Sequence, residues 1–190
     1  MEGALRIAIV GAESTGKTTL AAALAVHLTQ TTKQRVAWVP EVLREWCDRA
    51  GRTPRADEQA AILQAQQDRI DSAAAGHDIV VCDTTPLMTA VYSRLVFGDC
   101  SLATRAAEWH RHIDLTLLTA LDLPWVADGL QRDGPQVREP VDSALRELMA
   151  AHGLPWTVVR GEGSARLQCA VAAVAAIAPP RWPAAGRAEA

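Results

Sequence analysis

Lysine is almost missing from this chain. Lys and Arg together number 19 in 190 residues, and only Lys17 and Lys33 are lysines. Positive charge is outweighed, because Asp and Glu number 22 and the formal net charge is −3. A surface with that balance has no field to hold a polyanion, so nucleic-acid binding through bulk charge is excluded. Long apolar runs are missing too. The longest, residues 169–179, is Ala-rich and about eleven residues long, where a bilayer crossing needs roughly 20. No charged-then-apolar leader pattern opens the chain. These absences give the expectation of a cytoplasmic protein with no membrane partner. Cysteine occurs four times, at Cys47, Cys82, Cys100 and Cys169, and never as C-x-x-C. Each lies in an apolar or helical stretch, which reads as buried free thiols rather than a disulfide framework or a zinc site. His110 and His112 form H-x-H without a carboxylate or thiol constellation, and read as surface or helix-end residues.

What is present is an alternation. Strand patterns occur at Leu5–Val10, Arg35–Val39, Asp78–Asp83, Leu115–Leu118 and Trp156–Val159. Helix patterns separate them, at Thr18–Leu28, Glu41–Ala50, Arg55–Ala75, Pro86–Phe97, Leu102–Arg111, Val141–His152 and Ala165–Ile177. Such alternation builds a parallel sheet with helices on both faces. The length suits one α/β domain, 1–178, and is too short for two. Residues 179–190 open on Pro-Pro and read as a disordered tail. Leu121–Pro140 carries three prolines and two glycines, and reads as an irregular excursion.

Residues 11–18, Gly-Ala-Glu-Ser-Thr-Gly-Lys-Thr, match the phosphate-binding pattern G-x-x-x-x-G-K-[ST]. About one chain in a hundred of this length would match by accident at ordinary residue usage, and far fewer would place the match between a strand and a helix. Gly11 and Gly16 permit backbone angles that a side chain blocks. The turn then aims successive N–H groups inward, and the helix start adds partial positive charge. Lys17 reaches the outer phosphates, and the Thr18 hydroxyl is placed for magnesium. Glu13, Ser14, Thr15 and Thr19 complete the expected nucleotide-binding set.

Ligands of parallel sheets bind at the carboxyl ends of strands. After the second strand come Glu41, Arg44 and Glu45; after the third, Asp83, Thr84 and Thr85; after the fourth, Asp122, Pro124, Trp125 and Asp128. This reads as a ring of carboxylates around a phosphate site. Asp83 is expected to hold magnesium with Thr18; its alternative is a cap for the helix from Pro86. Glu41 is the candidate general base for an attacking hydroxyl; its alternative is an exposed first-turn glutamate. Arg132 and Arg138 lie in the excursion, where a lid carrying cations over the transferring group is expected. Gln66 and Gln67 lie off the Ile62–Ile70 stripe, where they either face the ligand cleft and bind an amide or hydroxyl or lie exposed to solvent.

Four segments together resemble one family: Gly11 to Leu20, Val39-Pro40-Glu41 with Arg44-Glu45, Val81-Cys82-Asp83-Thr84, and the run from Asp122 to Gly129. It is the AAA-type P-loop kinase family that includes the ribosylnicotinamide kinase domain of bacterial NadR proteins. The resemblance implies a three-layer P-loop NTPase fold with a five-stranded parallel sheet, and ATP and Mg2+ as donor and cofactor. It implies phosphorylation of the ribose 5′-hydroxyl of nicotinamide riboside or a similar riboside. On this chain it assigns phosphates and metal to Lys17 and Thr18, the acceptor hydroxyl or metal to Glu41 and Asp83, and the lid to Asp128, Arg132 and Arg138. Arg44, Gln67 and Trp125 complete the substrate candidates. The chain departs from the family where nicotinamide-stacking aromatics are expected, with Pro40 at one position and Ser72 at the other. Kinases of another nucleoside, and a regulatory ATPase without a small-molecule acceptor, remain alternatives.

Overall fold

The computed structural model describes residues 3–126 and 134–177. Leu5–Val10 forms β1, the middle of a five-stranded parallel sheet. The other strands are β2 (Val36–Val39), β3 (Ile79–Asp83), β4 (Leu115–Thr119) and β5 (Thr157–Val159), in the order β2-β3-β1-β4-β5. Seven α-helices are described: α1 (Lys17–Thr32), α2 (Val42–Ala50), α3 (Gln59–Gly76), α4 (Pro86–Phe97), α5 (Ala103–His110), α6 (Arg138–Ala151) and α7 (Gly163–Ile177). The three-layer expectation holds.

The apolar strands carry no alternation because both faces are covered. On β1, Ile7 and Ile9 pack under α1 and α7 with Leu24, Leu28, Ala170 and Val174. Ala8 and Val10 pack on the other face with Leu87, Met88, Leu145 and Met149 of α4 and α6. Ile70 of α3 sits against Val80 and Cys82, and α2 docks on α3 through Val42, Leu43, Cys47 and Ile62. Ile9 pairs with Asp83 of β3 and Leu117 of β4. The carboxyl ends of the three central strands are therefore level, and the residues that follow them meet at one place.

Three departures from the sequence reading have local causes. The excursion ends early: a 3-10 turn at Pro135–Val137 leads into α6 at Arg138. Pro140 then lies in the first helical turn, where a missing N–H forfeits no intrahelical bond. The long helix begins with a 3-10 turn at Ala56–Glu58, closed by the Glu58 carboxylate accepting from the Arg55 backbone N–H at 2.8 Å. His110 does end a helix, but it is buried, its Nδ1 3.1 Å from the Thr85 hydroxyl and its Nε2 2.8 Å from that of Thr116. Burial pushes its pKa down to about 3, so the ring is neutral. All four cysteines are free, and Cys47 and Cys82 are buried as expected; Cys100, in the α4–α5 turn, is exposed. Among the described residues no helix is long and apolar enough to cross a membrane.

Candidate active site

The turn from β1 to α1 is held from beneath. Gly11 has φ +148°, and a Cβ there would collide with the Thr119 hydroxyl at the end of β4. Thr15 is fully buried; its hydroxyl donates to Ala12 O at 2.8 Å and shares a 2.7 Å hydrogen bond with Thr119 Oγ1. The Thr15 side chain thus faces the sheet, and only its backbone is left for a ligand. Ser14 takes a left-handed conformation, φ 52°, a strain that functional loops tolerate when their surroundings fix it. Its hydroxyl accepts from the Val126 N–H at 2.8 Å. Gly16, φ +77°, starts α1 without a side-chain cap. The first N–H groups of α1 are left without intrahelical acceptors, as at any helix start, and available to an anion.

Lys17, Thr18, Glu41 and Asp83 come together above this turn. The Lys17 ammonium donates to Ala12 O at 2.8 Å. Burial lowers its pKa, opposed by Glu41 and Asp83. Glu41 is 9% exposed and begins α2, so the exposed-glutamate alternative does not describe it. Burial raises its pKa; Lys17 opposes the rise and Asp83 adds to it. Arg44 lies 3.9 Å from the Glu41 carboxylate, on the open side. Burial also raises the pKa of Asp83, opposed by a hydrogen bond from Thr18 and by the Lys17 charge. Asp83 does not cap α4: Thr85 occupies that position, with no side-chain cap bond.

A cleft of about 530 Å³ opens over the turn, lined by residues 14–19 with Arg44, Leu123, Pro124, Val126 and Glu162. A second, of about 470 Å³, adjoins it, sharing Gly16, Thr19, Leu123 and Glu162 and continuing along Gly163, Ser164, Arg166 and Leu167. The AAA domain family profile matches residues 6–166, most of the chain. The chain belongs to the AAA domain family. A NadR protein crystallised with NAD and AMP-PNP is 21% identical with a TM-score of 0.71, over 92% of this chain and 49% of that one. A NadR protein crystallised with NR is 22% identical with a TM-score of 0.75, over 92% and 50%. A thymidylate kinase from Ehrlichia chaffeensis is 16% identical with a TM-score of 0.59, over 88% and 97%. This AAA domain shares their fold, and spans about half the length of the NadR chains it matches. No curated protein matches the chain. The resemblance carried by the four sequence segments is borne out.

Other expected site residues fall differently. Arg138 is not in a loop. It starts α6, is 8% exposed, and donates from Nη1 to Leu123 O at 2.9 Å. Among the described residues its Nε and Nη2 are buried with no hydrogen-bond partner, an arrangement that calls for an explanation. Asp128 and Arg132 lie outside the described residues. Trp125 is half-buried between cleft residues Pro124 and Val126. Gln66 and Gln67 are buried, so the solvent-exposed alternative does not describe them. Gln67 faces Arg105 of α5, at 3.3 Å. Gln66 accepts from the Val42 N–H at 2.8 Å, one residue from Glu41, while its Nε2 is buried without a partner among the described residues. Ser72 is exposed near the end of α3, and its neighbours Asp71 and Ala74 line a different cleft with Leu5 and Arg6, at the amino ends of the strands. An aromatic at Ser72 could not have stacked on a ligand of this site. The ring of carboxylates is also smaller than expected, because Asp122 pairs with Arg166 and accepts from the Gly161 N–H at 2.7 Å.

Two contributors had no sequence signal strong enough to single them out. Tyr92, the chain's one tyrosine, packs with the α2–α3 cluster and is hydrogen-bonded to Glu13 of the phosphate loop. Arg166 is one of many arginines in the chain, and nothing around it in sequence marks it as buried.

Proposed function

We propose that this AAA domain is an ATP- and magnesium-dependent small-molecule kinase that phosphorylates a ribose hydroxyl, with nicotinamide riboside as the first acceptor to test. The observation that carries the reading is the convergence of Glu41, Asp83, Lys17 and Thr18 over a complete phosphate loop. A loop that only bound nucleotide would not need a buried carboxylate of raised pKa beside its lysine.

In this reading the loop N–H groups and Lys17 bind the donor's phosphates. The adjoining cavity along Gly163 and Leu167 receives the base. Glu41 accepts the proton of the acceptor hydroxyl as its oxygen bonds to the γ-phosphorus and the β–γ bridging bond breaks, so ADP leaves. Arg138 and Arg44 face charge that spreads over the transferring group. The donor set fits magnesium. The Asp83 Oδ1 is buried with no partner among the described residues, and the Thr18 hydroxyl touches the same carboxylate. One carboxylate and one hydroxyl are what magnesium takes from protein when phosphate and water complete its shell, and among the described residues no cluster of three metal-binding side chains competes. Bound there, the ion would neutralise phosphate charge. Tyr92, close enough to feel the Glu41 charge, and Gln66, bonded to the Val42 N–H beside Glu41, would supply an aromatic wall and an amide donor to the acceptor.

The fold match to a thymidylate kinase over nearly its whole length supports a second reading, in which the acceptor is a different nucleoside or nucleotide. The test is ADP formation by the purified protein with magnesium and ATP across a panel of ribosides and nucleotides. Stimulation by nicotinamide riboside alone supports the first reading, and stimulation by another member replaces the acceptor. If no member stimulates, the kinase reading gives way to a regulatory ATPase.

A further inference from the structure

We propose that Arg166 is a positioning residue that sets the anion-binding shape of the phosphate loop. The inference rests on the nucleotide reading above and adds to it a residue from the far end of the chain. Arg166 lies in the first turn of α7 and is 3% exposed. Its Nε donates to Gly161 O at 2.7 Å, its Nη1 donates to Thr15 O at 2.6 Å, and its Nη2 pairs with Asp122. Asp122 in turn accepts from the Gly161 N–H at 2.7 Å. One buried guanidinium therefore joins the segments that follow β1, β4 and β5.

The bond to Thr15 O has a consequence for the ligand side. A trans peptide is planar, and its C=O and N–H point in opposite directions. Holding the Thr15 carbonyl toward Arg166 turns the Gly16 N–H the other way, toward the cleft. Gly16 is left-handed and has no Cβ, so nothing in its own conformation prevents that peptide from flipping. A flip would put a carbonyl oxygen where a phosphate needs a donor. Arg166 removes that freedom with a charge-assisted bond. It also lines the adjoining cavity with Gly163 and Leu167, so the wall of the base site and the shape of the phosphate site share one side chain.

The experiment measures binding of magnesium tripolyphosphate, which has no base, and of ATP, by calorimetry on the full chain. Wild type is compared with Arg166→Lys, which keeps the charge and loses the fork, and with Asp122→Asn, which keeps the shape and loses the counter-charge. Melting temperature is read in parallel. Arg166→Lys is expected to weaken tripolyphosphate by about tenfold to a hundredfold, the range of a charge-assisted hydrogen bond, and Asp122→Asn, which keeps the bond to Thr15 and loosens its support, by severalfold. The KM for ATP should rise in step while the KM for the acceptor stays within about twofold, a split that general loosening does not produce. Tripolyphosphate affinity within about twofold of wild type, whatever the melting temperature does, would make Arg166 a purely structural clamp and overturn the inference. Should Arg166→Lys not fold, Asp122→Asn decides. Wild type that binds neither probe would overturn the nucleotide reading and this inference with it, and that measurement comes first.

Discussion

Replacing Glu41 by Gln is expected to make the protein more stable and nearly inactive. The two effects come from the same burial. Glu41 is 9% exposed, and the net direction of its pKa is upward, burial outweighing the Lys17 charge. A carboxyl whose folded pKa lies above its unfolded one prefers its neutral form in the fold. Stability is therefore lost as pH rises from the ordinary value of 4.5 through the raised one. Gln has the shape of the neutral form and never ionises. Each pKa unit corresponds to about 1.4 kcal/mol, so Glu41→Gln should raise the unfolding free energy at pH 7 by that amount for every unit by which burial raises Glu41. Lys17 keeps Asp83 and Glu13 as counter-charges, so the exchange does not strand it. Turnover should fall by about a hundredfold to ten-thousandfold, the range of a lost general base, with ATP affinity little changed. The assays are urea unfolding at pH 7, ADP formation with the acceptor, and ATP calorimetry. Wild-type turnover should also rise with pH along a limb above the ordinary glutamate range. That limb belongs to the Glu41–Asp83 pair, and the variant should displace it. Turnover within about twofold of wild type would refute the base role. A stability loss would refute the argument from burial.

Gly11→Ala places a methyl against the Thr119 hydroxyl at φ +148°. Strain of about 1–3 kcal/mol is expected, with loss of ATP binding in calorimetry; wild-type affinity would mean that the loop does not take this shape. Asp83→Asn should raise the magnesium concentration for half-maximal ADP formation and leave metal-free ATP binding alone, and superimposable magnesium titrations would remove Asp83 from the metal. His110 is neutral in the fold with a pKa of about 3, whereas the unfolded chain protonates near 6.5. The unfolded state thus binds a proton that the native state refuses, so stability falls as pH drops through that window, with a slope approaching 1.4 kcal/mol per pH unit. Urea unfolding of His110→Gln between pH 7 and pH 5 should show a shallower slope than wild type; equal slopes would count against a buried neutral ring.

The sheet was legible because its strands are short apolar runs bounded by Gly, Pro and charge, and β1 and β3 each end at a chemically marked residue. The phosphate-loop pattern singled out Thr18, the rule that ligands sit at strand carboxyl ends singled out Glu41 and Asp83, and the level register of β1, β3 and β4 brings these residues near one another. The differences have separate causes. Arg138 was read as a loop residue because Pro140 follows it, yet proline is harmless in a first helical turn. For Gln66 cleft and solvent stayed open as alternatives because a helix face can be ranked from one sequence only by hydrophobicity, whereas α3 is covered on two sides by α2 and α4 and Gln66 is buried. Arg166 was invisible because its partners lie more than forty residues away, in Thr15 and Asp122.

Among the described residues buried polar atoms without partners occur at His27 Nε2 on α1 and Gln59 Oε1 on α3 as well as around the phosphate loop, where they show what a ligand could supply. At the amino ends of the strands the charges are spent on each other. Arg6 holds Asp71 at 2.7 Å, Arg35 holds Asp78 at 3.0 Å, and the Trp109 indole donates to Asp71 at 3.1 Å. At the carboxyl ends, Asp83 Oδ1, the Nε and Nη2 of Arg138, and Gln66 Nε2 are buried without partners among the described residues. Each such atom costs about 1–3 kcal/mol if nothing ever meets it. Their chemistry divides by place. The carboxylate oxygen beside Thr18 suits a cation, and the guanidinium nitrogens behind Leu123, which lines the cleft, suit an anion. The amide donor stands one residue from Glu41 and suits a hydroxyl or carbonyl oxygen. A metal, a phosphoryl group and a polar acceptor are the three components of a kinase reaction. A regulatory ATPase would use the first two, whereas the proposed kinase reaction would also give the Gln66 amide a partner.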